Sequence, residues 1–130
     1  MSTKIEKFED LEVWKSAIEC ANYIYTLTSM GQFSKDFVLR DQIRRAGVSI
    51  FSNIAEGFER DGNKEFCNFL TIAKGSCGEA RAQALFARQL GYISESECRL
   101  LVDKLIQTNK QLSAFRSYLS RTDLKGRKFS

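Results

Sequence analysis

Four times along this chain apolar residues recur in steps of three and four, and no proline occurs anywhere to interrupt them. That spacing places side chains on one stripe of an α-helix. Proline would break such a helix by removing a backbone donor and clashing with the preceding turn. Residues of about 10–29 carry Leu11, Trp14, Ile18, Ala21 and Tyr25 on one stripe, and about 34–58 carry Leu39, Ile43, Ala46, Ile50 and Ile54. The segment 63–90 aligns Phe66, Leu70, Ala73, Cys77, Ala80, Ala84 and Ala87, flanked by Phe69, Ile72, Leu85 and Phe86. From 95 to 120, Cys98, Leu101, Leu105, Thr108, Leu112, Phe115 and Leu119 hold heptad spacing.

The breaks between these segments carry stop and start signals. Met30-Gly31-Gln32-Phe33 ends the first pattern, and Ser34 is placed to cap the second helix. Glu59-Arg60-Asp61-Gly62-Asn63 supplies turn chemistry, with Asp61 or Asn63 available as the next cap. Gly91 suits a helix C-terminus, and Ser94-Glu95-Ser96-Glu97 reads as a capping box. Helices joined by so few residues must run antiparallel to their neighbours, so the fold class is all-α: an antiparallel up-down-up-down four-helix bundle over residues 1–120, followed by a basic tail at 121–130. A chain of 130 residues suits one such core.

Counting outward from the turn near Asp61 puts Arg44 level with Glu79 and predicts an ion pair between the second and third helices. Gly75 and Gly78 lie inside a helical pattern, where each costs about 1 kcal/mol relative to alanine. A close helix–helix approach is the reading, with Gly47, Ser49, Ala55 and Gly57 as the matching small surface. Arg44, Asn53, Glu56, Ser76 and Glu79 are then a polar network fixing the register.

The chain contains no histidine, which removes the commonest general base and metal ligand together. No catalytic residue, metal site or cofactor is expected, and Gly75-Ser76-Cys77-Gly78 lacks the strand and the Lys-Ser/Thr of a phosphate loop. The four cysteines have no close pairing and read as reduced, mostly buried thiols. No apolar run approaches the roughly 18 residues of a membrane span, so a cytoplasmic protein without a membrane partner is expected. Of the net charge of +4, the last ten residues carry +3.

Several blocks occur together: Phe8-Glu9-Asp10-Leu11-Glu12-Val13-Trp14-Lys15, Leu39-Arg40-Asp41-Gln42-Ile43-Arg44-Arg45-Ala46-Gly47-Val48-Ser49-Ile50, Ser52-Asn53-Ile54-Ala55-Glu56-Gly57-Phe58, and Ile72-Ala73-Lys74-Gly75-Ser76 with Glu79. Over roughly residues 8–120 the chain resembles the four-helix-bundle proteins encoded in intervening sequences of bacterial 23S ribosomal RNA genes. The resemblance implies a homopentamer with no assigned enzymatic activity. Related bundles are accessory proteins of diversity-generating retroelements, in which a basic oligomer binds reverse transcriptase and RNA. The chain departs from the pattern at Phe51, where the family commonly has proline, and at Cys77 and Gly78.

Two readings of function follow. In the first, a non-enzymatic oligomer binds RNA or a nucleic-acid–protein complex, and serves as accessory to a reverse transcriptase, through Arg40, Arg45, Lys74, Arg81, Arg88, Arg121, Lys125, Arg127 and Lys128. Lys74, Arg81 and Arg88 recur at sevens along one face. In the second, the chain is a protein-binding scaffold whose cations only keep it in solution. No small-molecule substrate is expected in either. Phe66, Phe69, Phe86 and Phe115 read as core, while Trp14, Tyr23 and Tyr25 divide between core and subunit contact. Phe37, Phe51 and Phe58, off or at the edge of their stripe, are candidates for an oligomer interface.

Overall fold

A 3-10 turn at Phe8–Asp10 leads into α1 (Glu12–Thr28), and a second at Gly31–Lys35 into α2 (Phe37–Glu59); α3 (Asn63–Gln89) and α4 (Glu95–Arg121) follow. The computed structural model describes residues 5–122. The contacts close a cycle in which α1 lies against α2 and α4, and α3 packs most extensively on both α2 and α4. This is the antiparallel four-helix bundle that the periodicity predicts. Its core is one continuous cluster that runs from Leu11 to Leu119 and includes Ile24, Ile50, Ile54, Leu70, Leu105 and Leu112.

Each helix end shows why it starts or stops there. Ser94 and Glu97 form the capping box: the Ser94 hydroxyl accepts from the Glu97 amide at 3.1 Å, and the Glu97 carboxylate accepts from the Ser94 amide at 2.8 Å. Gly91, at φ +79°, ends α3 in the left-handed conformation that glycine tolerates best. The helix-two cap is Asp36 rather than Ser34, because residues 31–35 wind into a 3-10 turn and delay the helix to Phe37. Asp36 accepts from the Leu39 amide at 3.1 Å and from the Tyr92 hydroxyl at 2.9 Å. Those two donors, the amide first, hold its carboxyl below the usual range. At α3 the cap position falls to Gly62, with no side-chain cap. The Asn63 amide instead reaches across to α4, donating to the Leu119 and Thr122 carbonyls at 3.1 Å each.

The close approaches fall at Gly47 and Gly57 of the expected small surface on α2, and not at Gly75 and Gly78 of α3. A Cβ at Gly75 or Gly78 would meet nothing within 4 Å, because both face outward. The helices come together at Gly57, where a Cβ would stand 2.7 Å from Phe66 Cδ1 and 2.9 Å from Phe69 Cβ, and at Gly47, 2.9 Å from Ile24 Cδ1. Opposite signs are therefore expected from the same substitution. Gly78→Ala should raise stability by about 0.5–1 kcal/mol through helix propensity, and Gly57→Ala should lower it by about 1–3 kcal/mol through overpacking. Urea unfolding curves of the two variants test this.

Three aromatic assignments change. Phe58 is only 2% exposed and meets Phe66 edge-on at 6.1 Å, so it belongs to the core and not to an outer interface. Phe86, expected in the core, is 51% exposed, because Ala80, Ala84 and Ala87 already fill the inner side of α3. Phe69 is half-buried, against the bundle's rim.

Candidate nucleic-acid interface

The seam between α3 and α4 is where cationic side chains gather. Lys74 on α3 reaches over to α4, donating to Asn109 Oδ1 at 3.0 Å and to the Ser113 hydroxyl. One turn earlier on α3, the Thr71 hydroxyl accepts from Arg116 of α4 at 2.9 Å. These contacts fix the register of the antiparallel pair. The helical step then carries Arg81 and Arg88 along the same side, the span from Lys74 to Arg88 being about 21 Å at 1.5 Å per residue. On α4, Arg99 and Lys110 are exposed. Arg81, Arg88 and Lys110 are exposed and have no ion-pair or hydrogen-bond partner among the described residues. Arg99 is held weakly by Glu95 at 3.5 Å, with both side chains well exposed.

The other proposed cations do not join this group. Arg40 is half-buried, bonded to Asp41 at 2.9 Å and to the Ser34 carbonyl at 3.1 Å, and stacked over Phe37. Arg45 is exposed on the outer side of α2, away from the seam. Arg121 donates to Ser117 near the end of α4, and Lys125, Arg127 and Lys128 lie outside the described residues. Lys74 itself is a strut between two helices, with its ammonium already committed to side chains of α4.

The register network is smaller than expected and has a different centre. Asn53 donates to the Ser49 carbonyl at 2.8 Å and to its hydroxyl at 3.0 Å, and Ser76 donates to that same hydroxyl at 2.7 Å, linking α2 to α3. Glu56 is instead in a surface pair with Arg60 at 2.8 Å. The predicted Arg44–Glu79 ion pair is absent: Arg44 points to α1, donating to the hydroxyls of Thr28 at 2.8 Å and Ser29 at 3.2 Å. Its guanidinium also lies 4.4 Å from the centre of the Tyr25 ring. Those hydroxyls donate in turn to the Ile24 and Tyr25 carbonyls, so a cation closes the C-terminal end of α1, where the helix dipole favours positive charge.

Of the remaining interface candidates, Phe51 packs inward against Trp14, itself sandwiched with Phe8, and Phe37 stays 63% exposed. Exposed apolar side chains occur on α3 at Ile72, Leu85 and Phe86, with Leu90 just beyond, and also at Val38 on α2 and at Leu100 and Tyr118 on α4, none of which the sequence marks as an interface. Among the described residues no group of acidic, cysteine or histidine side chains is placed to hold a metal ion, and no helix is long and apolar enough to cross a membrane. All four cysteines are free thiols.

No curated protein matches the chain. Among solved structures, a protein of unknown function from the S23 ribosomal protein family of Bacteroides thetaiotaomicron superposes with a TM-score of 0.74 at 27% identity, covering 80% of this chain and 97% of that one. The family model described as 23S rRNA-intervening sequence protein matches residues 9–114, most of the sequence, and the chain belongs to that family.

Proposed function

We propose that this protein is a non-enzymatic, cytoplasmic, homopentameric module that binds RNA, or an RNA–protein complex such as one containing a reverse transcriptase, through the α3–α4 seam. The observation that carries this reading is the pair Arg81 and Arg88, exposed at a seven-residue spacing and unpaired among the described residues, beside a Lys74 already fixed in place. Cations spaced by about 10 Å along a rigid helix can meet separate phosphates, and assembly multiplies a modest charge per copy. The acids nearest the seam, such as Glu95, are at its edge and solvated.

Filter binding of a structured RNA across a salt series tests it. Affinity is expected to fall steeply with salt, with a slope of about −0.9 per phosphate contacted. Arg81→Ala with Arg88→Ala should lower that slope by about 2 and weaken binding, since each removed cation abolishes one phosphate contact. No binding at low salt would end this reading and leave the protein-binding scaffold in its place.

A further inference from the structure

The outward side of α3 is an apolar stripe that no other part of the described chain covers. Ile72, Gly75, Glu79, Ala82 and Phe86 follow one another at steps of three and four, all of them exposed. Ile72 and Phe86 are 52% and 51% exposed, and the open space around Gly75 leaves room for another helix to come close. On the neighbouring corner of the bundle, α2 exposes Arg45 on its own outer side.

Glu79 and Arg45 stand at the same level. The Ser76–Ser49 hydrogen bond at 2.7 Å sets the register of this antiparallel pair. Arg45 lies one turn before Ser49, and Glu79 about one turn after Ser76, so both are displaced the same way along the bundle. Yet neither has an ion-pair or hydrogen-bond partner among the described residues. Their neighbours differ: Arg44 is bound by Thr28 and Ser29, and Arg60 by Glu56 and Glu65.

We propose that the outer side of α3 docks a second copy of this chain, with Glu79 of one copy paired to Arg45 of the next. The inference rests on the oligomeric reading above and gives it a contact surface. A rotation about an axis parallel to the bundle leaves every residue at its own height. Only residues that share a level within one chain can therefore meet between copies, and the two opposite charges, both exposed, satisfy that condition. Because α2 and α3 occupy adjacent corners, the same pairing is satisfied twice in a two-fold pair or once per contact in a closed ring, and the measured mass distinguishes the two. The stripe of Ile72, Ala82 and Phe86 supplies the apolar area, and the charge pair sits beside it to set the register.

Light scattering coupled to size exclusion, at micromolar protein, tests the proposal. The unaltered chain is expected to be an oligomer. Arg45→Glu and Glu79→Arg should each raise the dissociation constant about tenfold or more, because like charges then face one another, and the double exchange should restore the assembly. Ala82→Trp, at an exposed position, should block the same face without touching either charge. Circular dichroism shows that each variant is folded, and Ala82→Trp carries the test if a charge reversal is not. An oligomer indifferent to all of these changes would overturn the proposed face while leaving the oligomeric reading intact. Dissociation by both reversals without rescue by the exchange would overturn the pairing. A monomeric unaltered chain would overturn both the face and the oligomer.

Discussion

Truncating Phe58 to alanine is expected to remove about 3–5 kcal/mol of folding stability, the usual cost of emptying an aromatic site in a packed core. Phe37→Ala should stay within about 0.5 kcal/mol, as surface changes do. The two phenylalanines stand near opposite ends of the same helix, and their surroundings decide the difference. Phe58 is 2% exposed beside Phe66, whose own ring continues the contact to Phe115 at 5.3 Å, so deletion leaves a hole bounded by three helices. Phe37, at 63% exposure, is the first residue of its helix and is covered chiefly by the Arg40 guanidinium. Urea unfolding at fixed protein concentration is the measurement, since association would otherwise add to apparent stability. Equal losses in the two variants would show that Phe58 is not the core residue its burial makes it.

Phe58 also shows where reading the sequence stops. The strict stripes locate four helices and their ends, because backbone hydrogen bonding and the burial of one side repeat along the chain without reference to anything distant. The capping box at Ser94 and the glycine at Gly91 are local in the same sense. What a stripe does not encode is how near the adjacent helix comes. Gly57 lets Phe66 and Phe69 approach α2 so closely that Phe58, on the border of its stripe, is enclosed. The alanines of α3 draw its neighbours in until Phe86 is left outside.

Charged residues are subject to the same limit. Counting from the turn gives the level of Arg44 correctly but not its direction around the helix axis, and a rotation of one residue separates a cation facing α1 from one facing outward. Lys74 is legible as a member of a basic row. That its ammonium is taken by Asn109 and Ser113, more than thirty residues away, depends on how α4 is set against α3. The Ser49 hydroxyl, between Asn53 and Ser76, gives no signal in the sequence beyond being small and polar.

Alkaline pH should destabilise this protein through a thiol. Burial, reinforced by the nearby Cys20 thiol and opposed by Lys74, pushes Cys77 up to about 12, from 9.0 in the open chain. The folded state thus keeps its proton where the unfolded state loses it. Between pH 9 and 12 the unfolded chain binds fewer protons, so unfolding becomes easier as pH rises; below pH 9 this contribution is present in full. For a single group the loss approaches about 1.4 kcal/mol per pH unit within that window. Cys20, Cys67 and Cys98 are displaced in the same direction by burial and add to the trend. Lysines and tyrosines titrate there as well, so the informative quantity is the difference between the unaltered protein and Cys77→Ala, followed by urea unfolding at pH 8, 9, 10 and 11. The variant should begin less stable at pH 8, having lost part of a buried side chain, and should then close on or overtake the unaltered protein as the pH climbs. Curves that stay parallel throughout would mean that Cys77 ionises in the folded chain as readily as in the open one, and that water reaches it.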